Sequence, residues 1–325
     1  MTNKKEIPSK NKDLKIIFMG TPDFAVATLK TLINNHYNIV GVITAPDKPA
    51  GRGRQLNESA VKHYAKSVGL NILQPTNLKH PDFLNELKDL KANLQIVVAF
   101  RMLPKAVWQM PQLGTFNLHA SLLPNYRGAA PINWAIINGE TKTGVSTFFI
   151  DEEIDTGDMI LQQTIAIEPD ENAGSLHDKL MNTGSQLVLK TVKLIETDHV
   201  TTIPQKEPEN IKTAYKLHKD NCKIDWNQNI DRIYNKIRGL SPYPAAWCTL
   251  INGSDTLDIK IYKAEKETNH HSLNIGTIVS SKKELKVAVS NGYILIKEMK
   301  LPGKRSMDIK SLLNGYQISE DAKML

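Results

Sequence analysis

Two kinds of apolar pattern divide this chain. In the first part, the run LKIIF (14–18) ends in the turn MGTPDF, a helix over about 24–34 follows, and NIVGVIT (38–44) reads as a buried strand. That order is a βαβ unit. Helices near 58–68 and 81–90 flank a short strand near Ile72. LQIVVAF (94–100) is apolar nearly throughout, as a parallel strand covered on both faces must be. GTFNLH (114–119) adds another strand. The pattern predicts an α/β fold, an open and mostly parallel sheet with helices on both faces, which binds ligands beyond the carboxyl ends of its strands.

TGVSTFFI (143–150) and MILQQTIAI (159–167) read as strands around the loop DEEIDTGD (151–158). From Ser175 a long helix places Leu176, Leu180, Leu187, Thr191 and Ile195 near one face. TTIPQKEPENIKTAYKLHK (201–219) lacks apolar periodicity and reads as a linker. After a helix carrying Ile230, Ile233 and Ile237, the pattern changes to short strands punctuated by Gly and Asn: AAWCTLI, LDIKIYKA, GTIVSS, ELKVAVS and YILIKEM. They predict a small C-terminal β-barrel.

The 325 residues suit two domains. With 41% hydrophobic and 23% charged residues the composition is that of a soluble globular protein, and no apolar run approaches a membrane span. Residues 1–13, polar and lysine-rich, are expected to be a disordered lead-in. Cys222 and Cys248 have no metal-ligand spacing and suit the reducing cytoplasm. The net charge of +7 is unevenly placed: from Lys206 onward there are 20 Lys and Arg against 14 Asp and Glu, leaving 21 against 20 elsewhere. A basic second part suggests a polyanionic partner, although a lysine-rich solvated surface reads equally well.

The chemistry concentrates in NLHASLLPNYRGAAP (117–131). Alternate strand residues share a face, so Asn117 and His119 point the same way at a strand end. An ordinary partly buried His is the bland alternative. Asp155, on a loop that Gly157 allows to bend tightly, can reach the same strand end. Asp, His and Asn together offer an orienting charge, a proton handler and an oxyanion partner without a metal. No G-x-S-x-G elbow is present, so a non-covalent acyl transfer is preferred to a serine mechanism. MGTPDF lacks the glycines of a dinucleotide fingerprint and excludes nothing but that reading. The loop APDKPAGRGRQL (45–56) carries Lys48, Arg52 and Arg54 among small residues, either a flexible basic loop or a contact for phosphates and bases.

NLHASLLPNYRGAAP, with DTGD downstream, resembles the signature of the folate-dependent formyltransferases. KIIFMGTPDFA, GVITAPDKPAGRGR, IRGLSPYPAAW and LPGKRSMDIKSLLNG narrow the resemblance to the branch that formylates methionyl initiator tRNA, and it runs from about residue 14 to 316. The resemblance implies a Rossmann-like catalytic domain (14–200), a linker (201–219) and an OB-like barrel that binds tRNA (220–325). It also implies 10-formyltetrahydrofolate as donor, initiator Met-tRNA as acceptor, no metal, and a monomer in the cytoplasm. Asn117, His119 and Asp155 match the family's catalytic positions, Ser121, Leu122, Leu123 and Pro124 its folate-binding signature, and Arg52 its loop arginine. Arg101 departs from the family's more usual glycine. Formylation of a nucleotide sugar or a purine precursor, and a tRNA-binding module with a decayed site, are the rival readings. The basic barrel and loop argue against the first, the intact Asn117, His119 and Asp155 against the second.

Overall fold

The structure, a computed structural model, describes residues 13–50, 55–207 and 209–325. The expected lead-in, apart from Asp13, and both loop arginines, Arg52 and Arg54, lie outside the described residues. Two compact units emerge. The first comprises the described residues up to Arg127, with Gly144–Thr164 and Asp178–Ile211; the second comprises Gly128–Thr143, Ile165–His177 and Lys212–Leu325.

The chain runs β1 (Lys15–Gly20), α1 (Asp23–Asn34), β2 (Asn38–Ile43), a hairpin of β3 (Lys48–Ala50) and β4 (Gln55–Asn57), α2 (Ala60–Ser67), β5 (Ile72–Leu73) and α3 (Pro81–Asp89). It continues through β6 (Leu94–Val98), α4 (Lys105–Trp108) and β7 (Thr115–His119) to β8 (Arg127–Gly128) and α5 (Pro131–Ile137). Then come β9 (Lys142–Phe149), β10 (Met159–Ala166) and α6 (Ala173–Glu196).

The sheet order is β10-β9-β7-β6-β1-β2-β5. Strands β7, β6, β1, β2 and β5 are mutually parallel, and β9 runs antiparallel to β7. Every residue of β6 is buried, so both faces of the sheet are covered. Alternation assigns the faces: Ile17 and Met19 pack with Phe83 and Leu87 of α3 and Val107 of α4, while Ile16 and Phe18 turn the other way. The parallel strands deliver the ends of β6 and β7 to one edge, and the site is built there. Leu176, Leu180, Leu187, Thr191 and Ile195 of α6 are all buried, as their spacing predicts.

The second unit continues with β11 (Thr213–Ala214), whose Ala214 O accepts from Ala129 N at 2.8 Å, and α7 (Ile230–Leu240). Asn229 caps α7 by accepting from Arg232 N. Next come β12 (Ala246–Asn252), β13 (Asp255–Thr268), β14 (Ile278–Ser280), β15 (Leu285–Val289), β16 (Gly292–Lys300) and β17 (Met307–Asp308). A short helix α8 (Ile309–Leu313) precedes β18 (Lys323–Met324). The strand order β14-β15-β16-β13-β12-β18 is antiparallel where adjoining strands pair, and a bridge between Thr277 and Lys323 brings its two ends together, giving a nearly closed barrel. Ile230, Ile233 and Ile237 seat α7 on the barrel core of Cys248, Ile259, Ile261, Val287 and Ile294. Burial pushes the Cys248 thiol up to about 12, so this cysteine is packing rather than chemistry. Among the described residues no helix is long and apolar enough to cross a membrane.

Candidate active site

The end of β7 presents Asn117 and His119 on one face, while Leu118, buried between them, turns to the other and packs at Gly184. A Cβ at Gly184 would stand 2.8 Å from Leu118 Cδ2, so the small residue lets α6 seat the strand. Asn117 is half-buried, and its side-chain amide has no hydrogen-bond partner among the described residues. His119 is 7% exposed. Its Nε2 lies 2.8 Å from Tyr126 O, and because a carbonyl can only accept, Nε2 carries the proton. Its Nδ1 faces Asp155 Oδ2 at 3.7 Å, too far for a hydrogen bond.

Both partners of the ring come from strained backbone. Tyr126 (φ 62°) and Asp155 (φ 58°) occupy the left-handed region without being glycine, as does Ala99 (φ 49°) just beyond β6. Such residues cost about 1–3 kcal/mol each and persist where surrounding contacts enforce them. The Asp155 loop is enforced in three ways. Asp151 Oδ1 accepts from Thr156 Oγ1 at 2.7 Å and from Glu153 N at 3.1 Å. At Gly157 a Cβ would lie 1.8 Å from Phe149 O, so only glycine allows the chain to pass. Finally, Gln205 Nε2 donates to Asp155 O and Gly157 O. Gln205 sits inside the proline- and lysine-rich run read as a linker, where nothing in the local sequence distinguishes it.

The segment Ser121 to Pro124 is a loop fixed by its own turn and by β9 and β10. Ser121 is fully buried, and its hydroxyl donates to Asn125 O at 2.7 Å. Ser146 Oγ donates to Ser121 O and accepts from Leu123 N and from Gln162 Nε2, which also reaches Leu123 O. Leu123 is buried, leaving Leu122 and Pro124 as the half-exposed members.

Around the rim, Arg101 donates to Thr76 O at 3.0 Å and to Pro75 O, tying the turn after β6 to the turn after β5. Lys105 pairs with Glu152 and so links α4 to the Asp155 loop. Of the basic loop, the structure places Lys48, which is exposed on β3. The base of that loop is fixed: Asp47 pairs with Lys62, Gln74 donates to Asp47 Oδ1 and Ala45 O at 2.8 Å, and Thr44 and Ser59 share a hydroxyl bond at 2.6 Å. The bond from the Lys62 ammonium, followed by that from Gln74, holds the Asp47 carboxyl below the usual carboxylate range.

Chemically, the strand end offers a free amide, a nearly buried imidazole of defined tautomer and a carboxylate against its second nitrogen. Such groups are of the kind that can stabilise an oxyanion and move a proton.

Comparison with known proteins identifies the family. Residues 14–192 match the family described as formyl transferase, and residues 216–317 match the formyl transferase C-terminal domain. The chain is 63% identical over 311 residues to a methionyl-tRNA formyltransferase of Flavobacterium johnsoniae, covering 96% of this chain and 99% of that protein. It is 52% identical over 320 residues to the enzyme of the same name from Bacteroides fragilis, covering 97% and 99%. Among solved structures, an N-formyltransferase from Helicobacter canadensis in complex with folinic acid and dTDP-3-aminofucose superposes with a TM-score of 0.62 at 20% identity, covering 87% of this chain and 98% of that one. HypX from Aquifex aeolicus in complex with tetrahydrofolic acid gives 0.62 at 19% identity, covering 94% and 47%. At such identities these two show the fold alone.

Proposed function

The chain belongs to the formyltransferase family, and from that premise we propose how it transfers a formyl group from a formyltetrahydrofolate to methionyl-tRNA. The donor is 10-formyltetrahydrofolate and the acceptor is the α-amino group of methionine on initiator tRNA. A free α-amine has a pKa of about 7.7–8.0, and esterification of its carboxyl lowers it, so the neutral nucleophile is abundant near pH 7.

Attack of the amine on the formyl carbon turns the carbonyl into an alkoxide. The unpartnered amide of Asn117 donates to that oxygen, and His119 stands on the same face. The Nε2 proton, which donates to Tyr126 O, is the one His119 has to offer to the oxyanion and then to the departing folate nitrogen. Delivering it exchanges one acceptor for another. Asp155 stands at Nδ1, collects through water the proton that the attacking ammonium loses, and passes it to Nδ1 as Nε2 gives up its own, so the ring is never left without a proton. The proton count closes: the amine loses one, the folate nitrogen gains one, and the products are a formamide and tetrahydrofolate.

Leu122 and Pro124 carry the folate-facing role of their segment, with Ser121 and Leu123 holding its shape. Lys48, Arg52 and Arg54 contact the acceptor end of the tRNA, and the barrel domain (220–325), joined by residues 201–219 to the catalytic domain (14–200), grips its phosphates. The enzyme acts as a cytosolic monomer. The observation that carries this reading is the position of His119, with Nε2 held by Tyr126 and Nδ1 facing Asp155, beside the unpaired amide of Asn117. Transfer of labelled formyl from the folate to Met-tRNA tests it, with uncharged tRNA, free methionine, an amino-sugar nucleotide and a purine-precursor amine as alternative acceptors. Transfer to any of these in preference to Met-tRNA would reject it.

A further inference from the structure

We propose that Gln205 is a positioning residue for this reaction, setting both partners of the His119 imidazole through one side-chain amide. The inference rests on the function proposed above.

The two loops that meet at His119 come from different places. One follows β7 and supplies Tyr126 O to Nε2; the other joins β9 to β10 and supplies Asp155 to Nδ1. Gln205 bonds to both. Its Oε1 accepts from Arg127 Nε at 3.2 Å and Arg127 Nη2 at 2.9 Å, immediately after Tyr126 in the chain. Its Nε2 donates to Asp155 O at 2.9 Å and Gly157 O at 2.8 Å. Both amide hydrogens and the amide oxygen are thus in use. Only a carboxamide can serve here: a carboxylate cannot donate to the two carbonyls, and a cationic side chain cannot accept from Arg127.

Gln205 is itself held in place. Ile203 and Met159 exchange backbone hydrogen bonds at 2.9 Å in each direction, and Thr202 Oγ1 donates to Asp158 Oδ2 at 3.3 Å. The segment carrying Gln205 is therefore docked along the start of β10. The left-handed residues Tyr126 and Asp155 lie on either side of the amide. Relaxing one toward ordinary backbone would move Tyr126 O away from Nε2; relaxing the other would swing Asp155 away from Nδ1. By joining the two, Gln205 keeps the ring from following either.

Gln205→Ala removes both halves of the link, and Gln205→Glu keeps the volume and the acceptor for Arg127 while removing the donors. Each variant is expected to lower kcat about tenfold to a hundredfold, the cost of misplacing catalytic groups by about 1 Å, with KM for folate and Met-tRNA within about twofold. In an Asp155→Asn background the same substitutions should cost a smaller factor, since the part that acts through Asp155 is already lost. A residue with a merely structural role would cost the same factor in both backgrounds. An independent readout needs no turnover: in protein labelled with ¹⁵N-histidine, the His119 Nε2 hydrogen should exchange with water faster in Gln205→Ala than in the parent. If Gln205→Ala does not fold, Gln205→Glu decides the matter in both measurements. Unchanged exchange, or equal losses with and without Asp155, overturns the proposal even where the parent transfers formyl normally. Failure of the parent to formylate Met-tRNA would instead count against the function, with the exchange measurement still deciding the role of Gln205.

Discussion

His119 Nδ1 stands 3.7 Å from Asp155 Oδ2, with both side chains withdrawn from solvent. At that separation a small approach converts attraction into a hydrogen bond, which requires a proton on Nδ1. Asp155 thus stands where it can hand Nδ1 a proton as Nε2 releases its own. Asp155→Asn preserves shape and removes the charge, and kcat should fall by about 10²–10⁴-fold, the usual range for losing a proton-handling group. His119→Ala should cost a similar factor, and the double variant little more than either alone, because the two act as a unit. Single-turnover formyl transfer measures all three. Turnover by Asp155→Asn within tenfold of the parent would remove Asp155 from the mechanism.

Asn117 makes a sharper case because its amide bonds to nothing among the described residues. Replacing it breaks no side-chain hydrogen bond among the described residues, so Asn117→Ala should alter stability by less than about 1 kcal/mol. Loss of an oxyanion donor, by contrast, costs about 2.7–4 kcal/mol of transition-state stabilisation, roughly 10²–10³ in kcat. Thermal unfolding and kcat measured on the same preparation should therefore diverge. A parallel fall in both would mean that Asn117 is a structural residue.

What the sequence disclosed and what it hid follow from the range of the signals. β6 was legible because a run apolar at all but one position needs cover on both faces, and α7 because Ile230, Ile233 and Ile237 repeat at helical spacing. Asn117 and His119 were legible through strand alternation. Helix α5 was not: Pro131 opens it directly after small residues that read as a loop, and its seven residues are too few to show a period. Tyr126 was hidden for a different reason. It acts through its carbonyl, which every residue possesses, and its left-handed backbone leaves no mark on the residue type. Gln205 reaches loops 48 and 78 residues away in the chain, and no local window records such a partner.

Gly157 tests how tightly the Asp155 loop must be held. A Cβ there would lie 1.8 Å from Phe149 O, a backbone atom that cannot swing aside, so the loop itself must shift. Gly157→Ala should cost about 1–3 kcal/mol in stability, as overpacking does, and about a hundredfold in kcat. Gly315→Ala meets nothing within 4 Å and should leave both unchanged. If Gly157→Ala retains full turnover, the geometry of the loop does not limit catalysis.

The lysines at the start of the second unit's longest segment, Lys212–Leu325, differ in how free they are to meet phosphate. Lys212 pairs with Glu140, and Lys219 pairs with Asp258 at 3.1 Å, so each would have to leave a carboxylate to bind RNA. Lys216 is exposed and has no ion-pair partner among the described residues. Lys223 is exposed too, its ammonium 5.5 Å from the Trp247 ring. Each phosphate contact contributes about 0.9 to the slope of log affinity against log salt. Lys216→Ala and Lys223→Ala should each lower that slope for Met-tRNA by about one, leaving the KM for folate unchanged. Lys212→Ala and Lys219→Ala should change it less, since removing them also frees a carboxylate that repels the backbone. Filter binding across a salt series separates the two pairs. Equal slopes for all four variants would mean that phosphates are gripped elsewhere on the protein.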